Sequence, residues 1–185
     1  MNSIEEGFNQ FNSNNFIDAL QTLQPFANQG DMRAQYLLGC IFMNGCEGIP
    51  TDYSEAYKWL KLAADQGESN AQYNLGYFYA NGLGVQVDYL EVIKWYKLAA
   101  EQGDANALNN LGCMYLDGVG VSKNESEAKK YFKLAADQGD ETGKKNLENL
   151  EKPSTTASSA IYSGLKVFIL ALAAYYLLKW IGWVN

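Results

Sequence analysis

The phrase "KLAADQGESNAQYNLGYFYANGLGV", beginning at Lys61, returns 36 residues later as "KLAAEQGDANALNNLGCMYLDGVGV", beginning at Lys97. The "LG" glycines of successive copies are Gly39, Gly76 and Gly112, and the "QG" glycines are Gly67, Gly103 and Gly139. The spacing is 36 residues, with one 37-residue unit where the loop "NGCEGIPTDYSEA" carries an extra residue. A fixed period of this size marks units too small to bury their apolar faces alone, which must stack on one another to do so.

Each unit reads as a helical hairpin. Ala71, Leu75, Phe78 and Tyr79 fall on one face of a helix. Gly82 follows as a stop, because glycine adopts the left-handed conformation at little cost. The second helix opens at Asp88 with Glu91 three residues on, a reciprocal capping pattern repeated by Asp52 with Glu55 and by Asn124 with Glu127. Asp31, Asp104 and Asp140 are placed to cap the helices after each "QG". Large aromatics on the second helix are expected over alanine and glycine on the first. The opening segment, from "EEGFNQF" to "FANQGD", is a shorter hairpin with Pro25 inside its second helix, where one hydrogen bond is lost. The segment "ETGKKNLENLEK" reads as a lone capping helix. The expected fold is therefore all-α: an α-α superhelix of four hairpins at about 3–29, 32–66, 69–102 and 105–138, with a cap at 141–150.

Composition removes several function classes. Net charge is −7, and residues 1–122 carry 14 acids against Arg33 and four lysines, which argues against nucleic acid as a partner. There is no histidine, hence no imidazole base or metal ligand. The three cysteines, Cys40, Cys46 and Cys113, have no CxxC spacing, so neither a zinc site nor a disulfide framework is expected. No paired carboxylates or nucleophile–base pair stand out either. No enzyme, cofactor or small-molecule substrate is expected. The "GLGV" and "GVGV" loops follow helices and lack a Lys-Ser or Lys-Thr ending, so turn chemistry explains them better than phosphate binding. The pairs Lys58/Lys61, Lys94/Lys97 and Lys130/Lys133 recur at the repeat period, as expected of a solvated outer face. The opening "MNSIEEGFNQF" has neither a basic region nor an apolar run of the kind that starts a signal peptide.

At "EKPSTTASSA" the chain turns small and polar, the composition of a flexible linker (151–159). The segment 160–184 is apolar nearly all round. Its uninterrupted stretch, Val167 to Leu178, makes only about 18 Å of helix. Lys166 and Lys179 can snorkel, however, and from Tyr162 to Trp180 or Trp183 a helix covers roughly 27–32 Å, which suits a bilayer with aromatics at each interface. The expectation is a single transmembrane helix and a tail-anchored protein. The bias of lysines toward the near side (Lys144, Lys145, Lys152, Lys166) leaves the repeat region in the cytoplasm.

The unit "AQYNLGYFYANG…VIKWYKLAAEQG" resembles the Sel-1-like repeat, a relative of the tetratricopeptide repeats, and the resemblance covers roughly residues 5–150. It implies an α-solenoid that serves as an adaptor or scaffold for protein complexes, often at membranes. It also implies a concave row on the first helices. Here that row is Arg33, Tyr36, Cys40, Met43 and Asn44; then Asn70, Tyr73, Tyr77, Ala80 and Asn81; then Asn106, Asn109, Cys113, Leu116 and Asp117. Tyrosines give contact area and amides give hydrogen bonds, which suits a peptide-binding surface; filling of the groove wall alone would explain Tyr73 and Tyr77 equally well. Some cysteine-rich members bridge adjacent repeats by disulfides and have been linked to β-lactam binding. The matching positions here are Ala64 and Ala71, so that activity does not carry over. The expected role is a membrane-anchored protein-interaction adaptor. The alternatives are a structural subunit packed through its transmembrane helix, or a secreted bacterial effector in a host membrane.

Overall fold

The computed structural model describes residues 3–152. The expected span 160–184, its interface residues Tyr162, Lys166, Lys179, Trp180 and Trp183, and most of the expected linker lie outside the described residues. Among the described residues there are nine helices and no strand: α1 (Ile4–Asn12), α2 (Phe16–Asn28), α3 (Met32–Asn44), α4 (Tyr53–Asp65), α5 (Ser69–Asn81), α6 (Tyr89–Glu101), α7 (Ala105–Asp117), α8 (Glu125–Asp137) and α9 (Glu141–Glu151). None of the helices among the described residues is long and apolar enough to cross a membrane. The chain divides into two units, Met1–Leu147 and Glu148–Asn185. Of the second, the described residues form the last turn of α9, where the Lys152 N–H donates to Glu148 O at 3.0 Å.

Helices pack in chain order, each on the next from α1 to α8. Within every hairpin a glycine of the first helix faces a large side chain of the second: Gly7 and Leu23, Gly39 and Leu60, Gly76 and Tyr96, Gly112 and Phe132. A β-carbon at any of the four would stand only 2.4–2.6 Å from that side chain, so the missing atom is what lets the two helices close. The expected aromatic-over-glycine pairing holds in the third and fourth hairpins, while leucine takes the place in the first two. The buried clusters straddle the junctions between hairpins. Leu60, Leu75, Phe78 and Trp95 form one, from α4, α5 and α6. Val92, Tyr96, Leu111 and Met114 form the next, from α6 and α7. The core is thus made by stacking, as the repeat period requires.

Side chains cap the N-termini of α3 to α8. Asp31, Glu68 and Asp104 accept hydrogen bonds from the N–H groups of Ala34, Ala71 and Ala107. Asp140 does the same for Gly143. At the second helices only half of the expected reciprocal box forms. Asp52, Asp88 and Asn124 accept from Glu55, Glu91 and Glu127 N–H. Their own N–H groups go instead to Phe42 O, Tyr79 O and Tyr115 O, across the hairpin turn. The three glutamates, freed from capping, pair with Lys58, Lys94 and Lys130.

A buried glutamine ladder ties successive hairpins. Gln35 and Gln72 are 4% and 5% exposed. Gln35 Nε2 donates to Ala27 O of the preceding hairpin at 3.0 Å, while its Oε1 accepts from Gln66 Nε2 at 2.7 Å. Gln72 repeats the pattern with Ala64 O at 3.2 Å and Gln102 at 2.8 Å. Ala27 O and Ala64 O also accept from Gly30 and Gly67 N–H, so each glutamine adds a second bond at a helix end and links it to the next hairpin. Leu108 holds the matching position in α7, so the ladder stops there.

Candidate partner-binding groove

Met43, Asn44, Tyr73, Tyr77 and Asn81, five members of the row proposed from sequence, line one open groove of about 590 Å³. Met43 and Asn44 come from the end of α3, Tyr73, Asn74, Tyr77 and Asn81 from α5, with Tyr53 at the start of α4 and Leu83 in the following loop. One turn of α5 separates Tyr73 from Tyr77 and another separates Tyr77 from Asn81, so the three share a face.

The walls are held by contacts behind the surface. The Tyr73 ring stacks on Tyr96 with centroids 5.6 Å apart and planes 26° apart. Its hydroxyl bonds Asn110, while burial, with Asp104 adding to it, keeps the phenol above its ordinary pKa and therefore neutral. Tyr53 meets Phe78 edge-on at 5.9 Å. Asn44 Nδ2 donates to Cys40 O at 3.0 Å and Asn81 Nδ2 to Tyr77 O at 2.8 Å, each fixing its amide to its own helix. Tyr77 is the open element, 44% exposed. The groove lining contains no charged residue.

The remaining row residues have other contacts. The Arg33 guanidinium lies 4.0 Å from the centre of the Phe8 ring. Tyr36 bonds Cys40, whose thiol burial pushes up to about 11, with Glu68 adding to the rise. Asn70 Nδ2 donates to Glu68 Oε1 at 2.9 Å. Asn109 Oδ1 accepts from Asn146 Nδ2 at 2.9 Å, tying α7 to α9. Asn106 and Asp117 are exposed. None of these seven lines the groove. Sequence reasoning missed Tyr53, Asn74 and Leu83. Tyr53 and Leu83 sit outside the first helices on which the row was drawn; the recurrence of tyrosine just after the cap, Tyr53 and Tyr89, was the available signal.

Other sequence features resolve into packing. Gly84 and Gly120, the second glycines of "GLGV" and "GVGV", have φ of +66° and +69°. A β-carbon on either would stand 2.8 Å from Tyr53 O or 2.7 Å from Tyr89 Cβ, so these loops cross the start of the preceding hairpin's second helix. Lys61 and Lys94 both lie over the ring of the buried Trp95, 5.4 and 4.9 Å from its centre. The cysteines are free, Cys40 buried and Cys46 and Cys113 partly so. Among the described residues no three His, Cys, Asp or Glu side chains gather as metal ligands.

The Sel1 repeat family model matches residues 33–68, 69–104 and 105–140, which are the hairpins α3–α4, α5–α6 and α7–α8. The first hairpin and α9 lie outside the matched segments, although Gly7 packs on Leu23 as its counterparts do. Among solved structures, a Sel1 repeat protein from Oxalobacter formigenes is 34% identical, with a TM-score of 0.73 over 78% of this chain and 59% of that one. A protective antigen present in uropathogenic Escherichia coli strains, displaying an SLR fold, is 42% identical, with a TM-score of 0.64 over 67% of this chain and 26% of that one. Cysteine rich protein B of Helicobacter pylori is 25% identical, with a TM-score of 0.54 over 68% of this chain and 90% of that one. The chain thus spans 59% and 26% of the length of the first two. No curated protein matches the chain.

Proposed function

This chain belongs to the Sel1 repeat family, and from that premise we propose that it is a non-catalytic protein-interaction adaptor that docks a partner in the groove of Tyr73, Tyr77, Asn44 and Asn81. One observation carries the reading. An exposed tyrosine and two immobilised amides face an open groove on a scaffold of stacked hairpins whose helices α3 to α8 carry side-chain N-caps. Rigid presentation lowers the ordering cost of binding, and aromatic side chains supply most of the contact energy in such surfaces.

The adaptor reading includes a membrane anchor at residues 160–184, supported by the length and apolarity of that segment and by its flanking lysines and tryptophans. The repeat region is then cytoplasmic, and the partner belongs to a membrane-associated complex. Deleting 160–185 should move the protein from the membrane to the soluble fraction; continued sedimentation with membranes would overturn the anchor. Replacing Tyr73 and Tyr77 should weaken partner recovery while helicity is kept, and an undiminished partner would remove the groove from the account.

A second reading is favoured by the small residues Gly164, Ala171, Ala173 and Ala174 of the same segment. Such residues permit close helix contact, so the chain could brace a membrane complex through that helix. Exchanging the segment for an unrelated anchor separates the two: an adaptor keeps its function, a packed subunit loses it.

A further inference from the structure

We propose that the groove receives a cationic side chain, lysine or arginine, from an extended segment of the partner, and not a carboxylate. The proposal rests on the reading of this groove as the docking site. Three independent observations point the same way.

The first is the donor and acceptor inventory. No charged residue of either sign lines the groove, so a carboxylate would find no charged donor there, and a cation would be held by amide oxygens and ring faces instead of a carboxylate. Asn44 and Asn81 turn their amide nitrogens onto Cys40 O and Tyr77 O. One N–H of each amide is thereby engaged within its own helix, while the side-chain oxygens stay open to accept from a cation's N–H groups.

The second is the aromatic surface. Elsewhere in this unit, cations of the chain itself cover ring faces: Arg33 on Phe8, Lys61 and Lys94 on Trp95, Lys130 on Tyr131. Among the described residues no such contact involves Tyr53, Tyr73 or Tyr77, and Tyr77 is 44% exposed. An exposed tyrosine face attracts a cation through its ring quadrupole.

The third is charge segregation. The first helices α1, α3, α5 and α7 carry Arg33 as their sole basic residue, and α5 carries no charge at all. The lysines of the described residues lie instead on α4, α6, α8 and α9, at Lys123 in a loop and at Lys152. Glu68 and Asp104, which cap α5 and α7, stand at the same end of the tyrosine row; Asp104 acts on Tyr73 and Tyr36, and Glu68 on Tyr36 and Cys40. A partner approaching this row meets a negative field that favours cations and repels acids.

The test is selection of a displayed library of twelve-residue peptides, C-terminally blocked, on the full-length chain in detergent, with Tyr77→Ala as the counter-selection. Tyr77 is half-exposed, so the variant keeps the fold, and circular dichroism checks it. Peptides that bind the wild-type chain but not Tyr77→Ala should contain lysine or arginine. Exchanging that residue for norleucine or citrulline should weaken binding by at least about tenfold. Binding should also fall as salt rises, and fall with Asp104→Asn, which keeps the cap while removing its charge. Tyr77-dependent peptides that tolerate the exchange, or that need an acidic residue, overturn the cationic occupant and leave the docking site standing. Binding that ignores Tyr77→Ala overturns both.

Discussion

Gly76 lies so close to the ring of Tyr96 that a β-carbon on the glycine would stand 2.4 Å from both Cδ1 and Cε1. The ring has little room to retreat, because it stacks on Tyr73 at 5.6 Å and the residue is 4% exposed. A glycine inside a helix ordinarily costs about 1 kcal/mol relative to alanine. Here overpacking, at about 1–3 kcal/mol, outweighs that gain. Gly76→Ala is therefore expected to lower the urea midpoint, and more than Gly39→Ala does, where the neighbour is the more adaptable Leu60. A raised midpoint for Gly76→Ala would contradict the packing account. The same substitution should disturb Tyr73, and with it the groove.

The glutamine ladder predicts an ordering of variants. Gln72→Ala removes one of the two bonds made by Ala64 O and by Gln102 Nε2 and opens a cavity, and is expected to cost about 2–4 kcal/mol in denaturant unfolding. Gln72→Leu imitates the natural Leu108 junction and should cost less. Conversely, Leu108→Gln gives Gln138 a partner in the manner of Gln102 and should be neutral or stabilising. Equal losses for Gln72→Ala and Gln72→Leu would mean that only volume matters at this position.

Cys40 sets an alkaline limit. Its thiol is raised from 9.0 to about 11, by burial first. The folded chain therefore holds that proton more tightly than the unfolded one, so the contribution is complete below about pH 9 and is lost as pH rises through about 11. The loss amounts to something on the order of 2–3 kcal/mol. Cys40→Ala should lessen the fall in urea midpoint that begins at about pH 9, while the share due to Tyr36, Tyr79 and Tyr96, whose phenols burial also raises from 10.0, should remain. In thiol labelling at pH 8, Cys40 should react more slowly than the partly exposed Cys46. A midpoint whose pH dependence is unchanged by the substitution would contradict the assignment.

What could be read from the sequence was what repeats because backbone geometry demands it. The stop at Gly82, with φ +68° and ψ 34°, and the caps at Asp31, Asp104 and Asp140 follow from local rules and stand where expected. The capping boxes were legible only in half, since an acid three residues after a cap does not reveal whether it turns back or reaches for a lysine. The ladder was harder still. Glutamine is usually exposed, and only the recurrence of Gln35 with Gln66 and Gln72 with Gln102 at one period hinted that these amides face each other across buried space. The groove combines three elements, and a row drawn along first helices alone could find Asn44, Tyr73, Tyr77 and Asn81 but not Tyr53.

The central claim is that a partner docks against the exposed face of α5, and photo-crosslinking tests it most directly. A benzophenone amino acid placed at Tyr77 of the full-length chain, in its native cells, should trap a discrete adduct on irradiation. The same group at Lys133, exposed on α8, should trap none. An adduct at position 133 together with none at position 77 would contradict the account.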